Sequence, residues 1–260
     1  MGELRTLRHL FLTTLQTRLE YRVDLMLGLA GSLGMQAASL GLLWVVLQTR
    51  HDLTGWQPNE IGCLYALTSM VLGCSELFFN GIWWAPTYVQ RGQFDRLLVY
   101  PARNLPFFLL LSPELHALGN LCGGFVLLLY FGHQAALPLW GLAGLPLWIA
   151  CGSLIHTAIL VMAGSVSIRS RGGHYQLYWL TNTLLQNSRF PITIYPFLIQ
   201  GLLLVLLPLG LANFVPISAL TGRLPLWIAL VAPPAAAAIM VSLAWWAWDK
   251  AFEGYESTGS

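Results

Sequence analysis

The sequence predicts an all-α integral membrane protein with six transmembrane helices. Four stretches contain no Asp, Glu, Lys or Arg, namely 25–49, 115–168, 190–222 and 224–248. One crossing of a bilayer needs about 20 mainly apolar residues, so these stretches hold one, two, one and one spans. A sixth span fits residues 61–82, where Glu76 is the only charged residue.

The distribution of basic residues predicts the orientation of these spans. With a cytoplasmic N-terminus, eleven of the thirteen Lys and Arg residues fall in inside segments, and only Arg50 and Arg223 fall outside. Basic residues near the ends of spans resist translocation. The pattern therefore predicts that both termini lie in the cytoplasm.

The composition supports a membrane domain and argues against nucleic-acid binding. Only 9 % of residues are charged and the mean hydropathy is +0.64, whereas soluble domains have about 25 % charged residues. The basic residues form a rim along the predicted cytoplasmic side and are not gathered into a patch, so we expect no nucleic-acid partner. All four cysteines fall in predicted spans, which makes a disulfide framework unexpected.

Three regions are predicted along the chain. Residues 1–22 form a cytoplasmic amphipathic interface helix, because Leu4, Leu7 and Phe11 recur at helical spacing among basic and polar residues. An alternative is a helix that extends the first span into water. Residues 23–248 form the six-span transmembrane domain, and residues 249–260 form a cytoplasmic tail.

The first predicted span, about 24–47, has a face of small residues that includes Gly28, Gly31 and Gly34. Small residues allow another helix to approach closely within a membrane. The partner helix could belong to a second protomer or to the same chain, and the sequence leaves both open.

The predicted cytoplasmic segment between spans two and three mixes charge with apolar side chains. Its residues are Arg91, Gly92, Gln93, Phe94, Asp95, Arg96, Leu97 and Leu98, followed by Val99, Tyr100 and Pro101. A short helix that docks into a partner's groove needs both kinds of side chain. The alternative is a surface helix packed on its own bundle.

Residues 213–225, the predicted outer connection before the last span, are too apolar for a simple aqueous loop. They include Phe214, Val215 and Ile217 beside Pro216 and Pro225. Non-helical backbone is tolerated at membrane depth only where protein covers it. We therefore predict a re-entrant element here.

Glu76 in span two and Glu114 near the start of span three are acids in otherwise apolar surroundings. An ionisable group inside a bilayer costs about 2.5–3.5 kcal/mol on insertion scales, so each should face protein or water. One interpretation is a polar translocation path or proton relay. The other is a structural hydrogen bond between spans.

Motifs for ATP hydrolysis, metal binding and catalysis are absent from the sequence. Lys250 is the only lysine and is followed by Ala251, so no phosphate-binding loop of the G-x-x-x-x-G-K-[ST] type exists. The six histidines are scattered over different segments, which predicts no metal site. We predict no catalytic residues, and any ATP hydrolysis must occur on another chain.

Several short motifs together resemble one bacterial family. They are Arg91 to Pro101, Arg189-Phe190-Pro191 through Tyr195-Pro196, Pro208, Asn213-Phe214-Val215-Pro216 and Tyr255-Glu256-Ser257. With the span count, orientation and loop lengths, they make the chain similar to the six-span ABC-type export permeases of the second exporter class. The resemblance covers essentially the whole chain.

The resemblance implies that Arg91 to Leu98 form a coupling helix and that re-entrant helices precede span six. It also implies two separate ATPase subunits that carry ATP and Mg²⁺, a second permease chain that is identical or homologous, and the bacterial cytoplasmic membrane as location. The apolar bundle favours an amphiphilic or lipid-like substrate. The alternatives are a stand-alone secondary transporter or channel, which would need a coupling-ion site, and a membrane-embedded enzyme or assembly factor.

Overall fold

The computed structural model describes residues 2–49, 55–92, 104–169, 179–180, 183 and 188–253. Within these residues all regular secondary structure is helical and no strand is present. The α-helices are α1 (Gly2–Glu20), α2 (Arg22–Thr49), α3 (Pro58–Phe79), α4 (Ala85–Gln90), α5 (Asn104–Leu109), α6 (Ala117–Gln134), α7 (Leu145–Arg169), α8 (Phe197–Gly201), α9 (Phe214–Leu220) and α10 (Leu226–Glu253).

Short 3-10 helical turns and one π-helical turn connect several of these helices. Asn80–Trp84 joins α3 to α4, Leu139–Gly144 leads into α7, Ile192–Ile194 precedes α8, and Leu202–Leu206 and Leu209–Leu211 lie between α8 and α9. The first two keep their helices nearly continuous. The last three belong to a strongly bent part of the chain.

Helix α3 is the centre of the bundle, and its start is determined locally. Gln57 caps the helix, Pro58 occupies a first-turn position, and the Glu60 carboxylate accepts a 2.8 Å hydrogen bond from the Gln57 amide. This reciprocal arrangement is a capping box with proline in the first turn. The middle of α3 is completely buried, as at Cys63 and Leu67, and α3 packs against both α6 and α7.

Helices α3 and α6 approach each other at backbone distance through glycines. A Cβ atom placed on Gly73 would lie 2.8 Å from the backbone nitrogen of Leu121 and 2.9 Å from the carbonyl oxygen of Ala117. On the other helix, a Cβ on Gly124 would lie 2.9 Å from the carbonyl oxygen of Ala66. Close backbone approach through small residues is the usual way in which helices associate within a membrane.

Within the described ranges, four helical segments are long and apolar enough to cross a membrane. They are Arg22–Leu42, Pro58–Gln90, Leu139–Arg169 and Leu226–Ala251. These segments agree with predicted spans one, two, four and six, and they establish an all-α membrane architecture. The total of six spans stays a prediction.

The remaining two predicted spans are interrupted. Predicted span three is divided into α5 and α6, with a non-helical stretch around Ser112 and Pro113 between them. Predicted span five, 192–212, is wrong as a continuous helix, because Phe197–Leu206 and Leu209–Leu220 meet at a bend of 74°. Pro208 lies at this bend, where it removes a backbone donor and breaks the helix. The bent pair lies close to the predicted re-entrant element at 213–225.

A matched pair of glycine substitutions tests the packing of α3 against α6. Gly73→Ala should lower the free energy of unfolding by about 1–3 kcal/mol, because its new methyl group meets backbone that cannot move independently. Gly201→Ala at the end of α8 is the control, since no atom lies within 4 Å of a Cβ at that position. Thermal unfolding of the detergent-solubilised protein measures both. Equal stability of the two variants would contradict this packing.

Candidate translocation site

A chain of side-chain amides links α2, α6 and α3 at the level of Glu76. The Gln36 amide nitrogen donates to the Asn120 side-chain oxygen at 3.1 Å, and the Asn120 amide nitrogen donates to the Glu76 carboxylate at 3.2 Å. Gln36 also donates to the carbonyl oxygen of Gly119 at 3.3 Å. Glu76 thus faces protein, as an acid inside a membrane should.

Glycines on α6 make room for the polar face of α2. A Cβ atom on Gly119 would collide with the hydroxyl of Ser32, and one on Gly123 would collide with the amide oxygen of Gln36. Larger residues would push α2 away and break the contact between Gln36 and Asn120. Gly119 and Gly123, which the sequence analysis did not single out, are separated by four positions and could have been found by that spacing.

Glu114, the second acid assigned to a path, lies beside Glu76 in the fold. Its carboxylate is 3.1 Å from His116 Nδ1 and 3.7 Å from Arg18 on α1. Its backbone nitrogen donates to the carbonyl oxygen of Glu76 at 3.3 Å. The break between α5 and α6 therefore brings the two predicted acids together at one end of the bundle.

One cavity, here called the aromatic cavity, lies at this end and has a volume of about 230 Å³. Its lining combines two acids, two histidines and several aromatic rings: Glu76, Glu114, His116, His156, Phe79, Trp83 and Trp84. His156 is buried, and its Nδ1 lies 2.8 Å from the Ser75 hydroxyl oxygen. The His156 Nε2 atom has no hydrogen-bond partner among the described residues.

A second cavity of about 410 Å³, here called the groove cavity, begins at Glu76 and runs along α2. Its wall includes Gln36, Asn120, Tyr65 and Arg189, and it shares Glu76 and His116 with the aromatic cavity. Tyr65 and Glu76 lie eleven positions apart on α3, which is about 16 Å along a helix axis. Over this distance the two cavities present polar side chains together with apolar ones.

Arg189 was predicted to lie in the cytoplasmic rim, but the structure places it half-buried against Tyr65, in the wall of the groove cavity. Its guanidinium carbon lies 4.9 Å from the centroid of the Tyr65 ring. Ser188 before it accepts a 2.6 Å hydrogen bond from the buried Asn213, and Phe190 after it packs against a hydrophobic core. The apolar run that starts at Phe190 was the available signal that this part of the chain is buried.

The predicted coupling residues are only partly described. Arg91 is exposed and follows α4, with its backbone nitrogen donating to the carbonyl oxygen of Thr87 at 3.1 Å. Gly92 has a φ of +62°, a conformation that suits glycine in a turn. Gln93, Phe94, Asp95, Arg96, Leu97 and Leu98 lie outside the described residues, so their role stays a prediction.

The three glycines assigned to helix packing have different surroundings. Gly28 faces α6, because a Cβ there would lie 2.9 Å from the Cβ of His116. No atom lies within 4 Å of a Cβ at Gly31 or Gly34. Gly28 therefore has a partner within the chain, and the face with Gly31 and Gly34 is open to lipid or another protein.

A separate polar cluster, here called the Arg223 clamp, joins the start of α3 to the turn after α9. Both terminal nitrogens of Arg223 donate to the Glu60 carboxylate, at 2.8 and 2.7 Å. The guanidinium also donates to the carbonyl oxygen of Gly55 at 2.8 Å and lies 4.1 Å from the Trp56 ring centroid. The clamp holds the segment between α9 and α10 against the end of α3 opposite to Glu76.

Comparison with known proteins identifies the family. A family model described as ABC-2 family transporter protein matches residues 33–259, and the chain belongs to this family. Searches of curated proteins and of solved structures gave no match. The family confirms the resemblance to ABC-type permeases, and it defines the chain as a transmembrane component of an ABC transporter and not as its ATPase. Such permeases generally pair with ABC ATPase subunits.

A double-mutant cycle tests the Arg223 clamp. Arg223→Gln and Glu60→Gln should each destabilise the protein, and the coupling energy between them should be about 1 kcal/mol, since the bidentate pair is partly exposed. Reversible unfolding of the four proteins gives this energy. Additive effects of the two substitutions would show that the ion pair contributes no stability.

Proposed function

We propose that this chain forms the translocation path of an ATP-driven exporter and that the path passes Glu76. The observation that carries this proposal is that the aromatic cavity and the groove cavity meet at Glu76 and His116. With the N-terminus in the cytoplasm, the aromatic cavity lies on the cytoplasmic side and the groove cavity leads outward. A substrate would enter at the aromatic rings and leave beyond Tyr65.

The lining of these cavities favours an amphiphilic substrate. The groove cavity has a polar wall of Ser32, Gln36 and Asn120, but it also includes Met35 and Leu72. The side of α2 that faces away from the bundle exposes large apolar side chains, such as Leu33, Leu42 and Trp44. A polar head would therefore move along the amides while an apolar tail stays beside α2, in lipid or against a second permease.

The second permease chain, identical or homologous, would pack on the open face of α2. Gly31 and Gly34 lie on this helix with free space around them, and small residues favour close helix contacts in membranes. Such a pairing would close the groove cavity from one side.

Two ATPase subunits would supply the energy, with ATP and Mg²⁺ bound on those chains. Arg91 to Leu98 would form the coupling helix, which transmits closure of the ATPases to the bundle in the bacterial cytoplasmic membrane. ATP can shift the bundle only through its different affinity for the inward-open and outward-open states. The break between α5 and α6, directly beside Glu76 and Glu114, follows this segment in the chain and would receive its movement.

Affinity purification of the tagged chain from its native membrane is the primary test. A mild detergent extract analysed by mass spectrometry should contain an ATPase with Walker motifs, together with a second permease if the complex is a heterodimer. A chain that is stable and alone, without any ATPase, would contradict the exporter proposal and favour a self-sufficient transporter or channel.

Substitution of Phe94 tests the coupling assignment. Phe94→Asp should abolish recovery of the ATPase while membrane insertion stays normal, because a charge replaces the apolar group expected to enter the partner's groove. Phe94→Leu is the matched control and should retain the ATPase. Quantitative mass spectrometry of the purified complexes measures both. Full ATPase recovery with the Asp variant would remove Phe94 from the interface.

A further inference from the structure

Arg189 is a half-buried arginine in the wall of the groove cavity, and among the described residues no anionic group contacts it. Among the described residues it forms no ion pair, and its buried Nε atom has no hydrogen-bond partner. Its described contact is the face of the Tyr65 ring, 4.9 Å away. A guanidinium has five hydrogen-bond donors, so most of its binding capacity is unused. The guanidinium interacts electrostatically with Glu76 without contacting it, so a ligand that contacts both groups would use donors that are free in the described chain.

The groove cavity places this guanidinium in the same chamber as a carboxyl group. Glu76 also lines the cavity, and its described hydrogen-bond partner is the neutral amide of Asn120. The two charged groups interact electrostatically, but no direct ion pair joins Arg189 and Glu76 within the described chain. The cavity therefore offers one positive and one negative group, separated by space for a ligand.

The size and polarity of the cavity fit a headgroup. Its volume of about 410 Å³ is at the lower end of the roughly 300–1,000 Å³ that is typical of small-molecule sites. Gln36 and Asn120 add buried or half-buried amides between the charges. The exposed apolar side of α2 provides a surface for an acyl chain outside the cavity.

We propose that the groove cavity binds the headgroup of a zwitterionic amphiphile, with its phosphate or carboxylate on Arg189 and its ammonium group on Glu76. Arginine suits the anionic end, because its planar donors match two oxygens of a phosphate or carboxylate. A purely anionic ligand would be repelled by Glu76, and a purely cationic ligand would be repelled by Arg189. A ligand with both charges satisfies both groups and leaves no uncompensated charge in the bundle.

This inference rests on the proposed function in one respect, because it takes the headgroup to be part of the transported substrate. Binding of the headgroup does not itself require an ATPase. Equilibrium binding of radiolabelled lysophosphatidylethanolamine to the purified complex, without ATP, measures it directly. If the purified complex contains an ATPase but does not bind this lipid, this inference alone is refuted. Binding without a recoverable ATPase would refute the exporter proposal alone.

Two variants and three probes make the test specific. Arg189→Gln should weaken binding of the zwitterionic probe about tenfold, a typical loss for a hydrogen-bonded charge, and should equally weaken the anionic lysophosphatidylglycerol. Glu76→Gln should weaken the zwitterionic probe and dodecylammonium, but it should not weaken lysophosphatidylglycerol. The exposed Arg169→Gln and Glu253→Gln serve as matched controls and should bind all three probes normally.

The pattern across probes separates recognition from a structural role. If Arg189 only braces Tyr65, Arg189→Gln will lower the unfolding temperature and change binding of the three probes alike. If Arg189 instead binds the ligand, Arg189→Gln should leave the unfolding temperature of the ligand-free protein unchanged or raise it. The reason is that a charge without a contacting anion is lost. The proposal is overturned if neither variant changes zwitterionic binding, or if both weaken every probe by the same factor.

Discussion

The approach of α3 and α6 at backbone distance is the constraint on which the rest of the structure depends. Gly73 and Gly124 allow this approach, each facing backbone of the opposite helix. It brings Asn120 within 3.2 Å of Glu76 and the backbone nitrogen of Glu114 within 3.3 Å of the Glu76 carbonyl oxygen. Because no water is available in hydrocarbon to satisfy polar groups, an acid at this depth requires such neighbours.

The two cavities at Glu76 exist because the helices around this residue are broken or incompletely packed. The break between α5 and α6 places Glu114 and His116 where a continuous helix would have a packed surface. Helix α2 touches the bundle through Gln36 and Ser32 but leaves many of its apolar side chains exposed. The groove cavity thus lies between the closely packed α3–α6 pair and α2, which is largely exposed in the described chain.

The two ends of the bundle differ in a way that suits alternating access. At the end opposite to Glu76, the Arg223 clamp, with its bidentate ion pair and the Trp56 ring, holds the connection before α10 to α3. At the end near Glu76, Glu114 interacts with His116 at 3.1 Å and with Arg18 only at 3.7 Å. The clamped end is therefore joined by direct side-chain contacts, whereas a cavity lies between the helices at the end near Glu76.

The sequence by itself determined the helical membrane class, four of the long spans and the ABC permease family. These follow from local properties, since a run of apolar residues of the right length must be a helix in a bilayer. The same reasoning identified Glu76 and Glu114 as unusual.

Only the tertiary structure showed that they are neighbours, because they come together through a helix break and a glycine contact that no local pattern specifies. It also moved Arg189 from the predicted rim into the groove cavity and bent predicted span five by 74°. The charge pattern of the sequence places each arginine in the nearest loop. Its actual position in the bundle depends on the aromatic rings and cavities that surround it in the folded chain.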